Sequence, residues 1–177
     1  GNIPGFTATN ATAAPIVATI TVTPTFGACS GPAITFTITV NPRLVISGPS
    51  TMITTYSRAD TSTTAYSVTG GTGTIRYSIA PTVTGITIDS ITGYVYLSST
   101  LGSASAQTLY TETVTATDSV GATSTKVLRI TVNKMLAFTG GSDIYTTLGI
   151  AQSSVAYGTT GGTGAVTITL ETYTSGV

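Results

Sequence analysis

Histidine and tryptophan are missing from the chain, cysteine occurs once, and only 7% of the 177 residues carry charge. Each shortage excludes something. Without histidine the commonest general acid–base residue is gone. One cysteine and no histidine leave zinc without an adequate ligand set. Cys29 has no partner for an internal disulfide, so it reads as a half-buried apolar residue or a loop thiol. Six basic and six acidic residues cancel, and a neutral chain offers nucleic acid no electrostatic attraction. No run approaches the roughly 20 apolar residues of a membrane span, so no membrane insertion is expected. The N-terminus shows no signal peptide and starts at Gly1 rather than Met, as a processed or partial chain would. Typical soluble domains carry roughly 25% charged residues. A surface this neutral keeps a free monomer in solution poorly, which points to work within an assembly, beneath glycans or tethered to a wall.

Threonine, serine and glycine fill the space that charge leaves. Segment 33–40 reads A-I-T-F-T-I-T-V, with Ile34, Phe36, Ile38 and Val40 on one face and threonines on the other. That period of two is the pattern of a half-buried strand. Segments 17–23, 75–79, 94–97, 110–117, 128–132 and 166–170 carry similar patterns. Turn signals separate them: Asn41-Pro42, Gly70-Gly71-Thr72-Gly73, Asp118-Ser119-Val120-Gly121 and Gly140-Gly141-Ser142-Asp143. No segment has a capped 3.6-residue period. The expected fold is all-β, built from antiparallel sandwiches. Threonine suits the outer faces because it is β-branched and polar without charge. Sheet edges are left with little of the usual lysine protection, since only Lys126 and Lys134 are present.

Two internal echoes set the organisation. Ile38-Thr39-Val40-Asn41-x-x-Leu44 returns as Ile130-Thr131-Val132-Asn133-x-x-Leu136, and Asn41 and Asn133 lie 92 positions apart. Ala65-Tyr66-x-x-Thr69-Gly70-Gly71-Thr72-Gly73 returns as Ala156-Tyr157-x-x-Thr160-Gly161-Gly162-Thr163-Gly164, with Thr72 and Thr163 lying 91 apart. Segment 1–41 aligns without a gap on 93–133, and 135–177 aligns on 43–86 with one residue deleted. The expected layout is the C-terminal half of one unit in 1–42, a whole unit in 43–134 and the N-terminal half of a further unit in 135–177. Val177 matches Ile86 and Gly1 matches Gly93, so the two halves together make nearly one unit. Either the chain belongs to a longer array, or subunits join head to tail by sharing a unit, which strand complementation would allow.

Further motifs carry a family resemblance. Gly85-Ile86-Thr87-Ile88-Asp89-Ser90-Ile91-Thr92-Gly93 and Val114-Thr115-Ala116-Thr117-Asp118-Ser119-Val120-Gly121-Ala122 resemble the turn and hairpin motifs of bacterial immunoglobulin-like and cadherin-like surface repeats. Segment 1–42 is similar to PKD-like repeats of large secreted proteins of the Bacteroidetes type, through Phe6-Thr7-Ala8-Thr9-Asn10, Ile20-Thr21-Val22-Thr23-Pro24, Cys29-Ser30-Gly31 and Ile38-Thr39-Val40-Asn41-Pro42. The resemblance implies an immunoglobulin-like sandwich in an extracellular setting. It extends to adhesins, filaments and spacers of secreted hydrolases alike, so it implies fold more sharply than function.

Candidate sites are few. The carboxylates Asp60, Asp89, Glu112, Asp118, Asp143 and Glu171 form no D-x-D or E-x-x-E cluster, so no catalytic residue, cofactor or metal is expected. Cadherin-like repeats hold calcium at unit junctions, but here Asn41-Pro42-Arg43 and Asn133-Lys134-Met135 each carry a cation in place of the family's acidic linker. Asp118 is expected to bond its own turn together with Gly121. Gly70-Gly71 and Gly161-Gly162 are expected to form glycine hairpins with positive φ; they lack the Lys-Ser/Thr of a phosphate loop. Asn10-Ala11-Thr12 is a glycosylation sequon. Lys126 and Glu112 both fall on inward positions, where Glu112 takes the place of Ile20. They are open to a buried salt bridge, to an amide cross-link of Lys126 of the kind pilin-like sandwiches carry, or to a sheet-rim position. Nine tyrosines and four phenylalanines offer stacking surface for sugars, although Tyr77, Tyr94 and Tyr96 lie in strand-like runs, where some are expected in the core.

The function expected is that of a structural subunit or segment of an extracellular bacterial filament or long cell-surface adhesin, secreted and not an enzyme. Its partners would be copies of itself or adjacent repeats, with surface glycans as a further class. The alternative is a spacer or glycan-binding module of a secreted multidomain enzyme.

Overall fold

The computed structural model describes residues 5–169. Over these residues the chain forms short strands and no helix. The first segment carries β1 (Ile16–Val22), β2 (Thr25–Phe26), β3 (Cys29–Ser30) and β4 (Ile34–Val40). The middle segment begins with β5 (Val45–Ser47), β6 (Thr51–Thr55), β7 (Asp60–Thr61), β8 (Ser67–Thr69) and β9 (Arg76–Ala80). It continues through β10 (Ile86–Ile88), β11 (Val95–Leu97), β12 (Thr108–Thr117) and β13 (Thr123–Asn133). β14 (Ala137–Thr139) and β15 (Gly158–Thr160) follow.

The middle segment is a two-layer β-sandwich. One layer is the four-stranded sheet β6-β13-β12-β9, and the other is formed by β10-β11-β7 together with the β5-β8 pair. Side chains from both layers meet in one contiguous core. β13 shows why: Leu128, Ile130 and Val132 alternate with Arg129 and Thr131, and all three apolar side chains are sealed from solvent. Each contributes about 1.5–3 kcal/mol of burial. Every buried hydrophobic residue among the described ones lies between Leu44 and Val132. Two short sheets with side chains interdigitating between them are the architecture of immunoglobulin-like sandwiches.

Among the described residues the pairing is antiparallel with one exception. β6 runs parallel to β13, with Thr51 opposite Arg129 and Thr55 opposite Asn133. An all-antiparallel sandwich, as alternation suggests, is therefore corrected at this edge. The cause is connectivity, since the chain crosses from β5 in one layer to β6 in the other before the β7–β13 strands are laid down.

The flanking segments repeat pieces of this sandwich in their register. β1 and β4 pair antiparallel with Ile16 opposite Val40, as β12 and β13 pair with Thr108 opposite Val132. β14 and β15 pair with Ala137 opposite Thr160, as β5 and β8 pair with Val45 opposite Thr69. Neither flanking piece closes a core among the described residues. Phe138 is 69% exposed where Ile46, at the matching place in the middle segment, is 8% exposed.

The strand expected over 166–170 does not form at 166–169. Its counterpart β9 is held by pairing with β12, and no strand C-terminal to β13 among the described residues offers that pairing. Leu170, Glu171, the Gly176-Val177 match and Gly1 lie outside the described residues.

Candidate functional site

The loops at the ends of the sandwich hold most of the polar structure, and Asp118 is their centre. It follows β12, is 6% exposed, and accepts hydrogen bonds on both oxygens. Oδ1 takes the amides of Val120 at 3.0 Å and Ala122 at 2.8 Å, closing its own turn. Oδ2 takes the amide of Thr72 at 2.9 Å, from the glycine loop after β8. Ser119 adds two bonds to the Thr72 carbonyl, one from its amide and one from its hydroxyl. Burial alone would push the Asp118 carboxyl up, but the amides of Ala122, Thr72, Val120 and Gly121 outweigh it and hold the group below its ordinary range. Gly121 supplies the turn's positive φ of 88°, with open space where a side chain would sit.

Gly70 and Gly71 have φ of 71° and 77°, and Gly161 and Gly162 have 80° and 75°. The positive φ is as expected, but the loop 70–73 is not a hairpin. It joins β8, paired with β5, to β9, paired with β12, so it crosses between layers. The crossing brings it against the linker at 42–43 on one side and Asp118 on the other. The hairpin turn of the neighbouring sheet is instead the Asp89 turn between β10 and β11. There Asp89 Oδ1 accepts the amides of Ile91 and Thr92, both at 2.8 Å. Those backbone bonds, Thr92 first and then Ile91, hold the Asp89 carboxyl below its ordinary range.

Glu112 and Lys126 do not form a pair. Glu112 is 1% exposed, and its Oε2 accepts no hydrogen bond. Burial alone raises its pKa, with no neighbouring cation offsetting it. Glu112 stands opposite Leu128, and Lys126 stands opposite Val114, two residues further along and only partly buried. Such diagonal neighbours sit roughly 7–8 Å apart.

Asn10 is engaged on both ends of its amide. Its Nδ2 donates to the carbonyls of Ala14 and Val40, each at 2.8 Å, and its Oδ1 accepts from the amide and hydroxyl of Thr12. A glycan on Nδ2 would displace one of the two donated bonds. Tyr77 is buried, whereas Tyr94 and Tyr96 are exposed on and beside β11. Cys29 is exposed at β3 rather than half-buried. Among the described residues no three acidic, cysteine or histidine side chains gather as a metal site.

Several polar anchors escape sequence reading. Ser62 Oγ accepts the Val95 amide at 3.1 Å, Ser124 Oγ accepts the Ile46 amide at 3.1 Å, and Tyr66 donates its hydroxyl to the Pro49 carbonyl at 2.6 Å. Burial pushes the Tyr66 phenol up to about 12. Only the recurrence of Tyr66 as Tyr157 marked any of these in advance.

The described residues thus present a β-sandwich module whose polar chemistry lies mostly in turns and linkers. No protein-family model matches it, and no curated protein matches it. Among solved structures it is similar to a Bacteroides fragilis protein assigned as an alpha-galactosidase, with 22% identity and a TM-score of 0.40. That match covers 51% of this chain and 17% of the other. It is also similar to mouse cadherin-23 EC22-24, with 16% identity and a TM-score of 0.38, over 67% of this chain and 42% of that one. The chain therefore spans less than half the length of either. No helix among the described residues is long and apolar enough to cross a membrane.

Proposed function

We propose that the chain is a structural segment of an extracellular bacterial filament or long cell-surface adhesin, made of immunoglobulin-like units in a row. The observation that carries this is the register coincidence. The β1–β4 pair matches β12–β13 at a shift of 92 residues, and β14–β15 matches β5–β8 at shifts of 92 and 91. The same two strand pairs recur in the same order along the chain, which is the arrangement of a linear array. The units divide at 1–42, 43–134 and 135–177.

Exposed apolar faces support the same reading. An apolar groove of about 450 Å³ lies open on the first segment, lined by Phe6, Ala8, Ala18, Ile20, Ile38 and Val40. In the middle unit the corresponding face of β12 and β13 is covered by the other layer. The open halves take complementary halves, from adjacent units of one long protein or from a second copy by strand complementation. The role is extension from the cell and adhesion, with no catalysis, and the partners are neighbouring units and surface glycans.

Electron microscopy of the native material tests this. Thin strings of constant width, beaded at regular intervals, are expected. A compact particle joined to a catalytic domain would overturn it. The mass of the native polypeptide separates the two modes of completion, since a value well above 17.8 kDa removes the second-copy mode.

A further inference from the structure

The two sequence echoes meet in space. Asn41, which follows β4, donates from Nδ2 to the Thr72 hydroxyl at 3.0 Å. Asn133, at the end of β13, donates from Nδ2 to the Thr163 hydroxyl at 3.0 Å. In the first place the Gly71 amide donates to the Pro42 carbonyl at 2.9 Å, and in the second the Gly162 amide donates to the Lys134 carbonyl at 3.0 Å. A Cβ on Gly70 would collide with the Arg43 carbonyl, and one on Gly161 would collide with the Met135 carbonyl. Each junction thus has the same three parts: a side-chain bond, a main-chain bond, and a glycine that lets linker and loop backbones touch.

We infer that the I-T-V-N-x-x-L tail of one unit and the T-G-G-T-G loop of the next are two halves of one joint, which locks successive units in a fixed relation. The tail is the ligand and the loop is its receptor. Thr and Gly recur together in the loop because the hydroxyl must accept the asparagine while the glycines admit the linker. At the second joint Thr163 also bonds the Thr55 hydroxyl at 2.6 Å. Thr55 pairs with Asn133 across β6 and β13, so the loop grips two adjacent strands of the unit before it. Asp118 extends the grip on the receiving side at the first joint, since it holds the Thr72 amide. The inference rests on reading the chain as an array, but it concerns contacts within this chain and stands apart from the extracellular role.

Trypsin reads the joints directly, because Arg43 and Lys134 lie in the two linkers while Arg58, Arg76, Lys126 and Arg129 lie inside the middle unit. Limited digestion of the 177-residue chain is followed by mass spectrometry, with the rate of each cut recorded. Asn41→Ala and Thr72→Val should each speed cutting after Arg43 by about fivefold, the factor a single lost hydrogen bond gives. Cutting after Lys134, Arg58 and Arg76 should not change. Asn133→Ala should speed the Lys134 cut alone, and Thr72→Ser should keep the wild-type rate. Unchanged cutting after Arg43 in Asn41→Ala and Thr72→Val overturns the inference. So does a rise that Arg58 and Arg76 share equally, because that marks a loosened unit rather than an opened joint.

Discussion

Glu112 is the residue at which this core departs most from its own pattern. The first segment places Ile20 at the matching position. A carboxyl there is sealed from solvent with one oxygen unpartnered, and an unsatisfied buried polar group costs about 1–3 kcal/mol. Because burial raises its folded-state pKa above the ordinary 4.5, the unfolded chain releases the proton more readily. The wild type is therefore penalised least below pH 4.5 and loses stability as pH rises through the folded-state value. Glu112→Ile should raise the urea midpoint at pH 7, and the gain should shrink as pH falls through the folded-state value towards 4.5. A destabilised variant at pH 7, or a gain that does not depend on pH, would refute the assignment. Asp118 has the opposite environment. Backbone amides from its own turn and from the glycine loop converge on its carboxylate, and its ionised form is the one the loops are built around.

At the scale of elements, the long alternating strands were legible and most short ones were not, β11 within the expected 94–97 being the exception. β1, β4, β12 and β13 carry five or more alternating positions, so apolar and threonine residues separate cleanly. β5, β7, β8, β10, β14 and β15 span two or three residues each, too few to show a period. They exist because neighbouring strands and turns place their backbones in reach. The meeting of the two echoes at one joint was not legible, because nothing in either motif marks what it touches. β6 adds a further lesson: Thr54 faces the core at 2% exposure with its hydroxyl unpartnered. Thr54→Val keeps the β-branched shape and removes the stranded hydroxyl. It should stabilise the unit by about 1 kcal/mol in urea titration. A loss of stability would mean that the hydroxyl has a solvent partner.

For the whole molecule, the core's confinement to one stretch has a direct consequence. All buried hydrophobic side chains among the described residues fall within 43–134. A fragment of those residues should unfold in a single cooperative thermal transition. Segment 1–42 alone should show none, because a lone hairpin with one open face is marginal in water. A non-cooperative melt of the 43–134 fragment would show that the flanking pieces are needed to complete it. The single parallel pairing gives this unit one further property. β6 lies near the start of the unit and β13 at its end, and they run side by side in the same direction over five residue pairs. Tension applied along the chain drags these two strands lengthwise past each other. Their hydrogen bonds are then loaded in shear, all at once, instead of being peeled open one after another like a zip.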